Sequence, residues 1–132
     1  MEGTRVDLQT GYLTGEKVSQ SRRTLGDLKG IFAGEAARAA MDQQTVVYEV
    51  QSHAAVAEGP PGGLFFGTSN VMPGQVDGEY FMTKGHYHAR RECGEYYWCI
   101  DGVGALILMD ETGRCWFEPM APGSLHYIPG YV

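Results

Sequence analysis

From Val46 onward the chain is a series of short runs rich in β-branched and aromatic residues, each closed by turn residues. The runs are Val46 to Gln51, Leu64 to Met72, Glu79 to His88, Glu95 to Ile100, Ala105 to Asp110, Cys115 to Glu118 and Leu125 to Ile128. Pro60-Pro-Gly-Gly63, Pro73-Gly74, Asp77-Gly78, Asp101-Gly102, Glu111-Thr-Gly113 and Pro122-Gly123 separate them, and these are the residues that tight turns demand. The spacing leaves no room for helical crossovers, so it predicts an antiparallel barrel or sandwich rather than a parallel α/β sheet. Before Gln43 to Thr45 the character differs. Thr24-Leu-Gly-Asp27 reads as a helix-capping turn, and Gly34-Glu-Ala-Ala-Arg-Ala-Ala-Met-Asp42 as a short helix with an acid in its first turn. The expected organisation is therefore a single all-β domain, with residues 1–44 forming an arm that carries a short helix and residues 45–132 forming the barrel.

Composition narrows the function classes. The 132 residues suit one domain, and 43% hydrophobic with 20% charged residues excludes a disordered chain. A net charge of -6 supplies no basic face for a phosphate backbone, so nucleic acid is not an expected partner. No apolar run reaches the ~18 residues of a membrane span, and the start lacks the apolar centre of a secretory signal. We therefore expect a cytoplasmic protein with no membrane association. Cys93, Cys99 and Cys115 are odd in number and form no Cys-x-x-Cys pair, which predicts reduced thiols.

The candidate chemistry gathers around Thr83-Lys-Gly-His-Tyr-His88, where two of the four histidines stand at i and i+2. On a strand, alternate residues share a face, so His86 and His88 would present two imidazoles to one divalent metal. An oxygen ligand would come from Glu92 or Glu95. Period-two alternation puts Glu95, Tyr97 and Cys99 on one face and Tyr96, Trp98 and Ile100 on the other, and the mixed polar face suits a pocket. Arg90, Arg91 and Glu92 read as a solvated connection. His53 and His126 read as packing or surface histidines.

These residues resemble the cupin-type glucose-6-phosphate isomerases of archaea and some bacteria. The resemblance rests on Thr83-Lys-Gly-His-Tyr-His-Ala89, Glu95-Tyr-Tyr97, Gly102-x-Gly104 and Met120-Ala-Pro-Gly-Ser-Leu-His-Tyr-Ile-Pro129. In the arm it extends to Val6-Asp-Leu-Gln-Thr-Gly11, Ser21-Arg-Arg23 and Val46-Val-Tyr-Glu-Val50. It implies a cupin fold, a double-stranded β-helix or jelly-roll barrel. It implies that His86, His88 and Glu95 are metal ligands, with Glu95 also the proton-transfer group. Ser69, Thr83 and Gly85 would contact phosphate, Lys84 would add positive charge, and Tyr97 would face the sugar. Ser69 departs from the family's more usual threonine.

The implied reaction interconverts glucose 6-phosphate and fructose 6-phosphate, a step shared by glycolysis and gluconeogenesis. It would use one divalent metal, Fe2+ by resemblance, although two histidines and a glutamate would also accept zinc, nickel, manganese or cobalt. The implied assembly is a homodimer. The family's second motif runs on past its proline to a fourth ligand, a histidine, and this sequence reaches only Pro129-Gly-Tyr-Val132. The closing barrel strands are accordingly expected to be missing, and a non-catalytic cupin that binds a sugar phosphate or a metal is the alternative reading. An iron-dependent oxygenase would use the same ligand types, but Thr83-Lys-Gly85 and the arm point away from it.

Overall fold

The structure, a computed structural model, describes residues 3–56 and 60–132. Among the described residues it is made of short antiparallel strands, as the turn spacing predicts, with one α-helix. Two compact units divide it: the segment up to Asp7 with Gly11–Lys84, and Leu8–Thr10 with Gly85–Val132. Among the described residues the strands form five small sheets, and no closed barrel.

In the first unit, β1 (Arg5–Val6) pairs with β2 (Leu13–Thr14), and β3 (Val18–Thr24), β4 (Val46–Ala54) and β5 (Phe65–Val71) form a three-stranded sheet in that order. The arm thus contributes three strands that the sequence pattern did not reveal. β3 reads Val-Ser-Gln-Ser-Arg-Arg-Thr with an exposed middle, so it lacks the apolar alternation by which a strand is recognised. Its ladder with β4 holds it in place, with a register shift between Arg23 and Thr24. β6 (Gln75–Val76) and β7 (Glu79–Tyr80) close through Asp77-Gly78, where φ values of 49° and 84° match the two positive angles of a type I′ hairpin turn.

The predicted helix forms as α1 (Glu35–Ala40) and the predicted capping turn as a single 3₁₀ turn, Gly26–Leu28. Asp27 Oδ2 accepts from the Thr24 N–H at 2.9 Å and from its hydroxyl at 3.0 Å, which fixes the entry. Leu25, Leu28, Phe32, Val47, Tyr48 and Val76 form the core of this unit, with Phe81 and Met82 packed against it. Arg38, though charged, is also buried. It makes a two-pronged pair with Glu35 at 2.8 and 2.9 Å and donates to the Leu25 carbonyl at 2.7 Å, so its charge is matched where water is excluded.

The predicted strand Glu79 to His88 is a correction. Only Glu79–Tyr80 pairs, and residues 81–88 carry no ladder. Phe81 and Met82 are drawn into the core and no strand lies beside the rest, so the segment has no partner to regularise it. The period-two argument for His86 and His88 therefore lacks its strand.

In the second unit, β8 (Glu95–Trp98) pairs with β11 (Leu125–Ile128), and β9 (Gly104–Met109) with β10 (Cys115–Met120). Pro119 is tolerated in β10 because that strand pairs on one side only. The expected division of faces is present: Glu95 and Tyr97 are half-buried, while Tyr96 and Trp98 are exposed together with their cross-strand partners Tyr127 and Leu125.

Two outcomes follow for the first unit. Leu28→Ala removes a fully buried side chain and should cost about 2–5 kcal/mol, read from denaturant unfolding. Hydrogen bonds from Arg38, and then from the Gly30 N–H, hold the Glu35 carboxyl down at about 2, against an ordinary 4.5. A depressed carboxyl stabilises the fold above its unfolded value, and that contribution disappears as pH falls from about 4.5 through about 2. Glu35→Gln should therefore lose this acid-side slope, and an unchanged acid titration of stability would remove the assignment.

Candidate functional site

The second unit contains His86, His88, Glu95 and Tyr97, each reached by a different local device. Glu95 opens β8, and its position depends on Gly94. A Cβ at Gly94 would stand 2.9 Å from the Ile128 carbonyl oxygen and 3.0 Å from the Tyr127 hydroxyl, so only glycine lets β8 begin this close to β11. His88 is placed by the connection that follows it. Its Nδ1–H donates to the Cys93 carbonyl at 2.9 Å, since a carbonyl can only accept. That bond fixes the neutral ring as the tautomer whose Nε2 carries a bare lone pair.

The Nε2 atom faces Glu95 Oε2 at 3.4 Å. Two lone pairs turned toward each other repel unless something positive lies between or upon them, either a proton on the ring or a cation. The spacing accommodates both: 3.4 Å is within ion-pair reach, and donors each about 2.1 Å from a tetrahedral ion also stand roughly 3.4 Å apart. The His86 ring lies beside His88, centroids 5.9 Å apart and tilted by 45°. Among the described residues no three His, Cys, Asp or Glu side chains close around a metal ion. Two donors thus stand close together, and the third, the His86 imidazole, is adjacent and exposed.

Glu92, the other oxygen donor considered, is engaged elsewhere. Arg90 holds it at 3.0 and 3.1 Å and lowers its pKa, together with a backbone hydrogen bond that contributes first. Arg91 stacks over the Tyr87 ring at 4.2 Å and donates to Glu111 at 2.7 Å, tying the connection to the β9–β10 turn. Tyr97 shares the Glu95 face. Burial first, and the Glu95 carboxylate second, push its phenol above the ordinary value, which keeps it a neutral donor.

The residues expected to bind phosphate divide. Ser69, Thr83 and Lys84 belong to the first unit and Gly85 begins the next segment of the second. Ser69 sits exposed on β5 opposite Val50. Thr83 and Lys84 are exposed in the unpaired segment, where the Lys84 N–H reaches the Tyr48 hydroxyl at 3.5 Å. A Cβ at Gly85 would meet nothing within 4 Å, so its backbone stands open to a ligand. Two features escape a sequence reading. The Cys93 carbonyl is backbone and has no residue signature, and His126, read as structural, stands opposite Tyr97 with two polar partners.

Residues 22–115 match the glucose-6-phosphate isomerase (GPI) family. Glucose-6-phosphate isomerase of Thermococcus onnurineus is 41% identical over 130 residues, covering 98% of this chain and 67% of that protein. The enzymes of the same name from Thermococcus kodakarensis and Pyrococcus horikoshii are 40% and 38% identical, with the same coverage. The all-β architecture fits the cupin type of this family. With the match running through both units, this chain belongs to the glucose-6-phosphate isomerase family.

Proposed function

We propose that this protein interconverts glucose 6-phosphate and fructose 6-phosphate, with one divalent metal held by His86, His88 and Glu95. The observation that carries the reading is the bare His88 Nε2 facing Glu95 Oε2 at 3.4 Å, in a chain of this family. Ferrous iron is the metal the family resemblance favours, and zinc, nickel, manganese and cobalt have compatible ligand preferences. When bound, such an ion polarises the two adjacent substrate oxygens and favours loss of the proton between them.

The chain's own residues supply the rest. Glu95 has the carboxylate that would move a proton between C1 and C2 of the sugar through a cis-enediol, and a metal-assisted hydride shift is the alternative route with the same ligands. The neutral Tyr97 phenol donates to a substrate hydroxyl. Ser69, Thr83 and the open backbone at Gly85 are the donors for the phosphate oxygens, with Lys84 adding charge. We place the reaction in the cytoplasm, within sugar breakdown and synthesis. We also propose a homodimer. Tyr96, Trp98, Leu125 and Tyr127 form one exposed apolar face on the β8–β11 pair, and a second copy of the chain would remove it from water.

Two experiments test these readings. In a coupled assay, chelator-treated protein should lose turnover and regain it with ferrous iron, and Glu95→Gln should fall by about 10²-fold or more while keeping its far-ultraviolet spectrum. Full activity in that variant would eliminate Glu95 as the proton carrier, and metal binding without turnover in the unaltered chain would favour the non-catalytic reading. Separately, Trp98→Asp should convert the dimer to monomer in light scattering, and a monomer before substitution would end the dimer proposal.

A further inference from the structure

The strands β10 and β11 and the turn between them line up a hydroxyl, an imidazole and a carboxylate. His126 Nδ1 lies 2.6 Å from Glu118 Oε2, and His126 Nε2 lies 2.9 Å from Ser124 Oγ. An ionised carboxylate only accepts, so the neutral ring carries its proton on Nδ1 and Nε2 becomes the acceptor for the Ser124 O–H. The Ser124 oxygen also accepts the Ala121 N–H at 3.1 Å, which fixes its direction. Its turn is held further by the Gly123 N–H on the Cys99 carbonyl at 2.8 Å and the Ser124 N–H on the Ala121 carbonyl at 2.9 Å. The His126 side chain is only 10% exposed and Glu118 36%, so the pair is partly shielded from water while Ser124 stays half-buried at the turn.

A satisfied histidine needs two partners and nothing more. The identity and order of these partners go further: nucleophile, base and orienting acid in hydrogen-bond contact are what activates a serine. We propose that Glu118, His126 and Ser124 form a second reactive centre, in which Ser124 is acylated by activated carboxylic esters. The Ser124 oxygen attacks the carbonyl carbon, its proton passes to His126 Nε2, and Glu118 stabilises the imidazolium. Collapse breaks the ester bond, and the proton on Nε2 leaves with the alcohol. Water then repeats the sequence on the acyl-serine, releasing the acid and restoring the hydroxyl.

The turn also sets the rate. The N–H groups of Gly123 and Ser124 are committed to carbonyls, so neither is free to meet the developing oxyanion. Each such donor is worth about 10²–10³ in rate, so the centre is slow and favours small acyl groups with good leaving groups. It needs no metal and rests on nothing in the isomerase reading.

A fluorophosphonate reports on this centre directly, because the Ser124 oxygen would form a bond to phosphorus as fluoride leaves and the proton goes to His126. The 132-residue chain is freed of metal by a chelator and its exposed thiols, Cys93 and Cys115, are alkylated beforehand. Peptide mass analysis should then find the adduct on Ser124. Ser124→Ala should abolish it, and His126→Asn should slow it by about 10²-fold or more. Glu118→Gln, which keeps the shape of the partner, should slow it less. Unmodified Ser124 in the wild-type chain overturns the proposal whatever the variants do, as does equal labelling of a folded His126→Asn protein.

Discussion

One hydrogen bond, from His88 Nδ1–H to the Cys93 carbonyl, decides what the candidate site can do. Without it the ring is free to present either nitrogen, and its encounter with Glu95 would carry no chemical information. With it, a lone pair is aimed at a carboxylate oxygen 3.4 Å away, an arrangement that stays repulsive until a positive species joins it. The connection from Ala89 to Gly94 exists, in this sense, to bring one carbonyl to one nitrogen. Arg90 on Glu92 and Arg91 on Tyr87 and Glu111 define its course, and Gly94 lets it end directly against β11. Exposed ion pairs contribute little energy individually, so their value here is in geometry.

The two units solve the problem of burial differently. The first gathers Leu25, Leu28, Phe32, Val47, Tyr48 and Val76 into a dry cluster and can therefore hide a charge, provided Arg38 keeps its two-pronged partner and its carbonyl. The second buries Cys99, Leu108 and Ile128 and leaves Ile107, Phe117, Trp98 and Tyr127 exposed. Its strands are held by backbone ladders and by polar links such as His126 to Glu118, which joins β11 to β10. Ladders without a thick apolar layer are marginal in water, which is the physical ground for the proposed homodimer.

What could be read in advance follows from what each element depends on. β5, β9 and β11 lie within a residue or two of where their β-branched and aromatic runs end, because apolar pattern and turn residues specify them. β3 was invisible because its seven residues are almost wholly polar and exposed, so its strand character comes from β4 and not from itself. The segment 81–88 erred in the other direction: its composition suits a strand, but Phe81 and Met82 turn into the core and leave the rest without a neighbour. In the candidate site the sequence singled out His86, His88, Glu95 and Tyr97, and the structure brings His86 beside His88 and His88 beside Glu95, though without the strand that was expected to do so. The lock on His88 was not legible, since a backbone carbonyl looks the same at every position.

The inner face of the β8–β11 pair shows how little of a residue's role lies in its identity. Tyr97 and His126 are directly opposite in register, close enough for side chains to share surroundings. Yet burial and the Glu95 charge hold the phenol neutral, whereas Glu118 at 2.6 Å accepts from the imidazole and fixes its orientation. One carboxylate thus discourages ionisation of its neighbour, and another holds a ring by a hydrogen bond. A strand pair of four residues a side therefore carries a neutral donor and an imidazole in directly opposite positions, each facing an acid from a different place in the chain: Glu95 from β8 itself and Glu118 from β10. That separation of sources is what allows the two proposed centres to share one small face.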